Sequence, residues 1–379
     1  MRKIENPFLL NEYVSVQYFC NREKETKMLE EAALNGRDVT LYALRRMGKS
    51  GLIEHAGQRM AKKHGYIYMY SDIYYVTEST ELIEALANQI LRNLKNSTGW
   101  IEKILGYFKS VSPMLSYDDM TGVPQISLTQ MEGTKVQQSL DSVFQILEDQ
   151  PKPVYWAWDE FQQLNQLDNS EGLIKKIRGL VQKSKNIRFV FSGSHTSMLL
   201  SMFNSSKQAF YRSTQLMELN EIETNDYQKF ISKHFAKGEK KITQPALELI
   251  QKYTLNHTWY VQALCNRLYQ KYNEVGEPEV RNSLVELLRE NETHFYRFRK
   301  LLTSLQWKLL VALSKEEKVK QPTSSRFITT YDLGSSASVL RAMSKLQSDE
   351  FIVEIWEDDE RYYRVNDVFL IRWVKWRYG

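Results

Sequence analysis

The stretch DVTLYALRRMGKSG occupies residues 38–51 and decides the fold class of the chain. Asp38–Ala43 is a short candidate for a buried strand, and Gly48–Lys63 has the composition of a helix. The loop that joins them, Ala43–Ser50, ends in Gly-Lys-Ser. A loop of this kind between a strand and a helix is the context of a phosphate-binding Walker A motif. The stretch therefore predicts an α/β domain that binds a nucleotide.

The residue types in this loop suit a polyphosphate. Backbone N–H groups around Gly48 and at the helix N-terminus attract negative charge. Lys49 can reach the β- and γ-phosphates, and Ser50 can place its hydroxyl on Mg²⁺. Ala43 stands where the motif usually has its first glycine, at a strand end where a methyl group is tolerable. The alternative is a chance Gly-Lys-Ser tripeptide. The predicted nucleotide-binding residues of the loop are Ala43, Leu44, Arg45, Arg46, Met47, Gly48, Lys49, Ser50 and Gly51.

A second apolar strand, Val154–Glu160 (VYWAWDE), ends in two adjacent carboxylates. Because side chains alternate along a strand, Asp159 and Glu160 point in different directions and can have different roles. Asp159 is predicted to hold Mg²⁺ opposite Ser50, and Glu160 to activate the water that attacks the γ-phosphate. The alternative is a strand that ends in solvated acids. Together with the upstream loop, this Walker B pattern favours nucleotide binding.

The order of the predicted elements indicates several domains. Strands and helices alternate over residues 1–220, which predicts a parallel sheet with an N-terminal helical segment, and a helix and hairpin are inserted near 96–133. After about Ile222 the pattern is helical, with no strand for some seventy residues, so 221–299 is predicted to be a helical domain. Residues 300–379 have the order helix-helix-helix-strand-strand, which is typical of a winged helix.

The composition excludes several classes of protein. With 51 basic and 46 acidic residues among 379, the net charge of +5 does not by itself indicate a nucleic-acid partner. No apolar run approaches the ~18 residues that span a bilayer, and no secretory leader is visible. Cys20 and Cys265 have no metal-type spacing and are expected to be reduced thiols. We therefore expect a cytoplasmic protein without membrane contact.

The motifs together resemble the prokaryotic AAA-like ATPases of the STAND group. The resemblance covers nearly the whole chain and implies a P-loop NTPase sheet of the ASCE/AAA-like type, an α-helical lid and a C-terminal winged helix. It also implies the binding of ATP and Mg²⁺, with slow hydrolysis. The matching segments are Asn6–Phe8 (NPF), Tyr18–Glu25 (YFCNREKE), Arg45–Ser50 (RRMGKS), Asp159–Phe161 (DEF) and Gly193–Ser194.

The resemblance implies three further site residues. Ser194 matches a sensor of the γ-phosphate, although a serine that caps the helix starting near His195 is an alternative. Arg212 matches an arginine finger that acts in cis or from a neighbouring copy, with a structural salt bridge as the alternative. His257 lies where the family's lid touches the nucleotide, but the family's glycines are absent here, so a core or cap residue is the alternative.

The C-terminal domain has two possible partners. The predicted recognition helix, Ser335–Lys345, offers Arg341 and Lys345 to DNA phosphates. Residues 301–379 contain 12 basic and 11 acidic residues, however, and the predicted wing tip Glu357–Glu360 (EDDE) would repel a phosphate backbone. A protein-docking surface is therefore the alternative.

Basic residues are concentrated elsewhere, in residues 170–216. They are Lys175, Lys176, Arg178, Lys183, Lys185, Arg188, Lys207 and Arg212, against the single acid Glu171. Such a stretch could meet an acidic partner or nucleic acid, or could simply be a solvated face.

Three functions are consistent with these patterns. The first is an ATP-binding and hydrolysing switch whose winged helix engages DNA or a protein. The second is a DNA-processing or mobility ATPase that turns over as a ring, which would make the chain a homo-oligomer. The third is a nucleotide-binding interaction module that has lost hydrolysis. An intact Glu160 speaks against the third.

Overall fold

A computed structural model describes residues 4–11, 13–94, 99–108, 113–120, 122–357 and 359–379. The chain divides into two compact units. The sheet unit is Tyr13–Asn220, and the helical unit is Glu221–Gly379 together with the described residues 4–11. Among the described residues, every helix is too short or too polar to cross a membrane.

The sheet unit alternates strands with helices. Its strands are β1 (Val39–Tyr42), β2 (Ile67–Asp72), β3 (Met114–Tyr117), β4 (Pro124–Ser127), β5 (Val154–Asp159), β6 (Ile187–Gly193) and β7 (Gln215–Glu218). Its helices are α1 (Glu23–Leu34), α2 (Lys49–His64), α3 (Ser79–Asn93), α4 (Trp100–Tyr107), α5 (Thr134–Glu148), α6 (Ser170–Lys183) and α7 (Thr196–Asn204).

Five of these strands form one parallel sheet in the order β2-β5-β6-β1-β7. The strand that precedes the Gly-Lys-Ser loop, β1, is therefore separated from the carboxylate strand β5 by β6 alone. All strands run in the same direction, so their carboxyl ends meet at one edge, which is where an open α/β sheet binds its ligands. This order brings the two sequence motifs to the same edge.

Both faces of the sheet are covered, and β5 shows why its sequence is almost entirely apolar. All six of its residues are buried. Trp156 and Trp158 belong to one hydrophobic cluster, whereas Tyr155 and Ala157 belong to the cluster on the other face. Alternate residues of a strand point to opposite faces, and a strand covered on both faces needs apolar residues at every position.

The predicted insertion contains α4 and a hairpin of β3 and β4 that pairs from Met114↔Ser127 to Tyr117↔Pro124. Asn88 on α3 fastens the hairpin, because its side chain accepts a hydrogen bond from the Ile126 N–H (2.7 Å) and donates one to the Ile126 carbonyl (2.9 Å). Thr121, in the predicted turn, lies outside the described residues.

The helical unit contains α8 (Thr224–Lys237), β8 (Lys241–Ile242), α9 (Gln244–Thr254), α10 (Thr258–Lys271), β9 (Glu274–Val275) and α11 (Glu277–Leu301). The expectation of no strand after Ile222 is wrong, because β8 and β9 pair in parallel. Two-residue strands are too short to produce a recognisable alternation in the sequence.

The first residues also differ from the predicted domain 1–220. The described residues 4–11 belong to the helical unit, not to the sheet unit. Phe8 is fully buried, and its ring packs against the rings of Phe230, Phe235 and Tyr269 at 5.7–6.2 Å between centroids. The segment joins the helical unit because burying the aromatic ring of Phe8 there is favourable. Its partners lie more than two hundred residues further along the chain, so the local sequence does not indicate this contact.

The C-terminal part has the predicted order of a winged helix. It consists of α12 (Ser304–Glu316), α13 (Ser325–Tyr331), α14 (Ser336–Ser348), β10 (Ile352–Glu357), β11 (Glu360–Val365) and α15 (Val368–Tyr378). The strands β10 and β11 are antiparallel. Asp358, at the predicted wing tip, lies outside the described residues.

The last helix, α15, was not predicted, and it packs against the preceding helices α9, α11 and α12. Asp367 caps it by accepting a hydrogen bond from the Leu370 N–H (3.0 Å). The buried Arg372 donates to the carbonyls of Tyr253 (2.9 Å) and Lys252 (2.6 Å) near the end of α9. Cations are favourable at a helix C-terminus because its last carbonyls lack intrahelical partners.

Candidate functional site

The loop between β1 and α2 has a backbone conformation that requires glycine at Gly48. Gly48 has φ +93° and is the N-cap of α2, so its geometry is left-handed. Arg46 also has a positive φ of 64°. Ala43 and Met47 are buried, Leu44 and Gly51 are partly buried, and Arg45 and Arg46 are exposed. The loop thus lies directly before the N-terminus of a sixteen-residue helix.

Lys49 is the buried cation of this loop. Its side chain is 6% exposed, and Nζ donates to the carbonyls of Ala43 (3.2 Å) and Leu44 (3.5 Å). Thr196, at the start of α7, also donates to the Ala43 carbonyl (3.2 Å). The buried ammonium and the N–H groups at the start of α2 are both positive, so the loop is electrostatically suited to an anion.

A hydrogen bond joins the loop to the carboxylate strand. Ser50 Oγ donates to Asp159 Oδ2 (2.9 Å), although 109 residues separate them. Asp159 also accepts from Tyr70 Oη (2.5 Å), Ser192 Oγ (2.6 Å) and the Glu160 N–H (3.0 Å). Four donors therefore fix both carboxylate oxygens of Asp159, which is only 5% exposed.

Glu160 has its own set of donors. Its Oε2 accepts from Gln162 Nε2 (2.5 Å), the Ser194 N–H (3.1 Å) and Ser194 Oγ (3.0 Å). The alternative role of Ser194 as a helix cap is wrong, because α7 begins at Thr196 with His195 at its N-cap. The hydroxyl of Ser194 instead positions the carboxylate of Glu160.

Neighbouring acidic groups make this edge of the sheet negative. Asp72, the last residue of β2, is the register partner of Asp159. Burial raises the pKa of the Asp72 carboxyl, and the charges of Asp159 and Glu160 raise it further against an opposing hydrogen bond from the Tyr74 N–H. Burial and the charge of Asp159 likewise raise the pKa of Tyr70, so the phenol stays a hydrogen-bond donor at neutral pH.

The oxygen donors at this edge fit Mg²⁺. The hydroxyl of Ser50 and the carboxylate of Asp159 already lie within hydrogen-bond distance of each other. Mg²⁺ is usually bound by one or two carboxylates together with substrate phosphates. Within the described ranges no group of three or more His, Cys, Asp or Glu residues could hold a metal by itself. A magnesium ion here would therefore depend on a phosphate ligand.

Arg212 lies apart from these carboxylates in its contacts. It is exposed, has φ +49°, and its guanidinium lies over the ring of Tyr211 at 5.3 Å. Its N–H donates to the carbonyl of Phe203 (2.9 Å). In the part of the chain that the structure describes, Arg212 forms no ion pair, and its role as an arginine finger stays a prediction.

His257 belongs to the helical unit, where it is 2% exposed at the N-cap of α10. Its ring packs edge-on against the ring of Tyr260, with 4.8 Å between centroids. This burial favours the alternative of a core and cap residue. A contact of His257 with nucleotide stays a prediction.

Sequence reasoning missed Tyr70 and Gln162 and assigned no role to Ser192. Tyr70 and Ser192 lie on the strands that flank β5. Hydroxyl residues near the carboxyl ends of predicted parallel strands were the available signal. Gly193 has a related role, because a Cβ there would lie 1.9 Å from Gln162 Oε1. The glycine leaves room for the glutamine that reaches Glu160.

Comparisons with known proteins agree with this geometry. Residues 19–264 match the family model described as an ATPase domain predominantly from Archaea, and residues 293–376 match one described as a probable winged helix domain. A search among curated proteins found no match.

Solved structures show the same fold over nearly the whole chain. A Walker-type ATPase of Pyrococcus abyssi is 15% identical with a TM-score of 0.66, covering 97% of this chain and 99% of that one. The ORC2 protein of Aeropyrum pernix, in its ADPNP-ADP complexes, is 14% identical with a TM-score of 0.57, covering 97% and 96%. The ORC1 protein of the same organism, in complex with DNA, is 12% identical with a TM-score of 0.51, covering 98% and 96%.

Fold and site together define a P-loop ATPase with a parallel sheet, a helical part and a C-terminal winged helix, so the predicted fold class is confirmed. The family match extends over more than half of the sequence. The chain therefore belongs to the family of ATPase domains predominantly from Archaea.

Proposed function

We propose that the chain binds ATP with Mg²⁺ and hydrolyses it slowly, as an AAA-like switch protein of the STAND type in the cytoplasm. The observation that carries this proposal is the 2.9 Å hydrogen bond between Ser50 Oγ and Asp159 Oδ2. It joins the hydroxyl of the phosphate loop to the carboxylate of β5, beside the buried ammonium of Lys49. The same residue types in the same order handle phosphate and Mg²⁺ in P-loop NTPases.

Each of these groups has a definite task. Lys49 exchanges its loop carbonyls for the β- and γ-phosphates, since a charged acceptor is the stronger partner. Ser50 and Asp159 would hold Mg²⁺, which neutralises phosphate charge when bound. The loop residues 43–51 supply the amides and walls of the phosphate site.

Glu160 is proposed to accept a proton from the attacking water. Its Oε2 is occupied by Ser194 and Gln162, whereas its Oε1 accepts no hydrogen bond from any described residue. One oxygen is thus anchored and the other is left for a water molecule, which is the arrangement a general base needs. Ser194 would link this base to the γ-phosphate as a sensor.

Arg212 is proposed to complete the site as an arginine finger. Its exposure and its lack of an ion pair with the described residues leave the guanidinium available to phosphate. Because Arg212 contacts Tyr211 and Phe203 and not the carboxylates of its own site, we propose that its guanidinium reaches the phosphate bound by a neighbouring copy. This part of the proposal requires a homo-oligomer.

The winged helix is proposed to engage a protein. Of the twelve basic residues in 301–379, nine form ion pairs with described residues. These pairs leave little charge for a phosphate backbone. Leu340 on α14 and Trp356 on β10 are 60% and 66% exposed. Exposed apolar and aromatic side chains among compensated charges are typical of protein interfaces.

A DNA partner is the second candidate, and one observation favours it. Arg341, on the exposed face of α14, donates to Ser338 Oγ (3.3 Å) and forms no ion pair with any described residue, so its charge is available to a phosphate. ORC1 of Aeropyrum pernix, solved with DNA, shares the fold. A ring ATPase that processes DNA would use this surface continuously, whereas a switch would use it in one nucleotide state.

The test of the proposed function is phosphate release from ATP by the purified full chain. Wild-type protein should release phosphate only with Mg²⁺, and Ser50→Ala should reduce turnover because one of the two metal-holding groups is removed. Ser201→Ala, on the exposed side of α7, is the matched control and should keep wild-type turnover. Turnover that is independent of Mg²⁺ and of Ser50 would contradict the proposal.

A further inference from the structure

The chain passes from the sheet unit to the helical unit directly after β7, and β7 ends next to the strand that precedes the phosphate loop. Tyr42 at the end of β1 and Glu218 at the end of β7 are register partners in neighbouring parallel strands. The Leu219 N–H then donates to the Tyr42 carbonyl (2.9 Å), which continues the pairing by one residue. The loop Ala43–Ser50 and the boundary segment Asn220–Glu221 therefore leave the same edge of the sheet side by side.

Arg22 bridges the loop and this segment. Its Nη1 donates to the Asn220 carbonyl (2.7 Å) and to Glu25 Oε1 (2.9 Å), and its Nη2 donates to the Met47 carbonyl in the loop (3.4 Å). Arg22 is 4% exposed and has φ +68°, so its position is fixed by packing. A planar guanidinium holds several acceptors in one geometry, which a lysine ammonium does not.

Glu221, the residue after Asn220, is held by a contact within the helical unit. Glu221 forms an ion pair with Arg364 Nη2 (3.7 Å), within the helical unit. Arg364 lies on β11, the second strand of the wing, and is 4% exposed. Glu221 is its sole ionic partner among the described residues. A buried guanidinium depends strongly on its counter-ion, so this contact constrains the segment.

We infer that Asn220–Glu221 is the element through which the nucleotide state of the phosphate loop reaches the wing. Arg22 acts as the positioning residue on the loop side, and Arg364 as the anchor on β11. Two consecutive residues are thereby fixed by two buried arginines, one in each unit. This inference rests on the proposed function, since it requires nucleotide at the loop.

The physical step starts at Lys49. Its ammonium now rests on the carbonyls of Ala43 and Leu44. When Lys49 turns to a phosphate it releases these carbonyls, and the loop backbone up to Met47 adjusts to the ligand. The fork of Arg22 cannot keep both Met47 and Asn220 in their present geometry once one of them moves. We therefore expect Asn220–Glu221 to have two arrangements, one with and one without nucleotide at the loop. The contacts at Arg22 and at Arg364 both influence which arrangement is populated.

The test is amide hydrogen exchange of the full chain with and without AMP-PNP and Mg²⁺. In wild-type protein, ligand should change the exchange of residues 352–365, which form the wing, as well as that of the loop. Glu221→Gln should still bind AMP-PNP in calorimetry. The ligand-induced change in the exchange rate at residues 352–365 should, however, be smaller than in wild type by about fivefold or more, which is within the usual range of coupling. Glu223→Gln, two residues along and also exposed, is the matched control and should behave as wild type.

Arg22→Lys provides a second variant on the loop side. Lysine keeps the positive charge, so Glu25 still has a cationic partner, but it cannot hold the carbonyls of Met47 and Asn220 together as the planar guanidinium does. The ligand-induced change in exchange at residues 352–365 should therefore be smaller than in wild type. Failure of the wild-type chain to bind AMP-PNP would overturn the proposed function and this inference together. Binding without any response at 352–365, or a full response in Glu221→Gln, would overturn the inference alone.

Discussion

Tyr70 Oη lies 2.5 Å from Asp159 Oδ2, the same carboxylate oxygen that accepts the hydrogen bond from Ser50. A phenol on β2 and a hydroxyl of the phosphate loop thus converge on one atom of β5. If Ser50 turned to a metal ion, as proposed, Tyr70 would still fix the orientation of Asp159. The carboxylate is therefore set in place before any ligand arrives.

Removing the phenol should weaken the metal site. In Tyr70→Phe, Asp159 loses a donor that orients it, and such outer residues typically contribute about 10- to 100-fold to metal affinity. We expect the Mg²⁺ concentration for half-maximal ATP turnover to rise by a factor in this range. Tyr68→Phe is the control, because Tyr68 lies on the same strand but donates to Glu54. An unchanged Mg²⁺ titration would show that Tyr70 only supports packing.

If Glu160 is the general base, as proposed, its amide variant should separate binding from turnover. Glu160→Gln keeps the size of the side chain but cannot accept the proton of water. Loss of a general base typically costs about 10²–10⁴-fold in rate. We expect ATP affinity close to wild type in calorimetry and this loss in single-turnover hydrolysis. Glu132→Gln, an exposed glutamate of the same unit, is the control, and an equal loss of binding and turnover would make Glu160 a structural acid.

Asp38 should make the stability of the chain depend on pH. Burial raises the pKa of its carboxyl to about 6, although the Phe189 N–H and the nearby Arg188 and Arg178 oppose the shift. Since the folded pKa lies above the unfolded one, the stabilising contribution is complete below about pH 4 and is lost as the pH rises through about 6. Above that pH the ionised group destabilises the fold.

Asp38→Asn should therefore gain stability relative to wild type at pH 8 but not at pH 4.5. The expected difference between the two pH values is about 1–2 kcal/mol in the free energy of unfolding, an order-of-magnitude figure for a shift of this size. Urea unfolding at both pH values measures it, with the exposed Asp168→Asn as the control. The same effect of Asp38→Asn at both values would mean that the folded pKa is not raised.

The acidic side chains of the wing, Glu357 and Glu360, should lower the affinity of the chain for DNA. Glu357 pairs with Lys318 (2.6 Å), and Glu360 pairs with Lys320, so neutralising both glutamates removes two negative charges and releases two cations. In the full chain we expect wild-type affinity for duplex DNA weaker than about 10⁻⁶ M at physiological salt, as for non-specific binding. The double variant Glu357→Gln, Glu360→Gln should bind more tightly, with a steeper salt dependence.

Fluorescence anisotropy over a salt series measures both quantities. Glu274→Gln is the control, since it also releases an exposed lysine, Lys241, but lies outside the winged helix. Wild-type binding to one DNA sequence far tighter than the non-specific range would replace the protein partner by DNA as the target of the winged helix.

The parts of the site that could be predicted from sequence are those with a local pattern. The order strand, Gly-Lys-Ser and helix is contained within residues 38–64, and the apolar run before Asp159 is contained within one strand. Each motif reflects its own backbone geometry, such as the positive φ at Gly48. The order of the elements then gave the α/β class and the winged helix.

The parts that could not be predicted depend on register and on distant packing. Tyr70 reaches Asp159 because β2 and β5 pair with Asp72 opposite Asp159, and a shift of one residue would turn Tyr70 to the other face. Arg22 lies in the matching segment Tyr18–Glu25, which does not indicate its contacts, yet two of its partners are 25 and 198 residues away. Contacts of this kind leave no periodic trace in a single sequence.

The central claim is that the phosphate loop binds ATP, and calorimetry of the full chain with ATP and Mg²⁺ tests it most directly. Lys49→Ala should weaken binding about 10- to 150-fold, because a hydrogen bond to a charged group contributes about 1.5–3 kcal/mol. Lys62→Ala, in the exposed last turn of the same helix, should bind as wild type does. ATP binding by Lys49→Ala as tight as that of wild type would contradict the account.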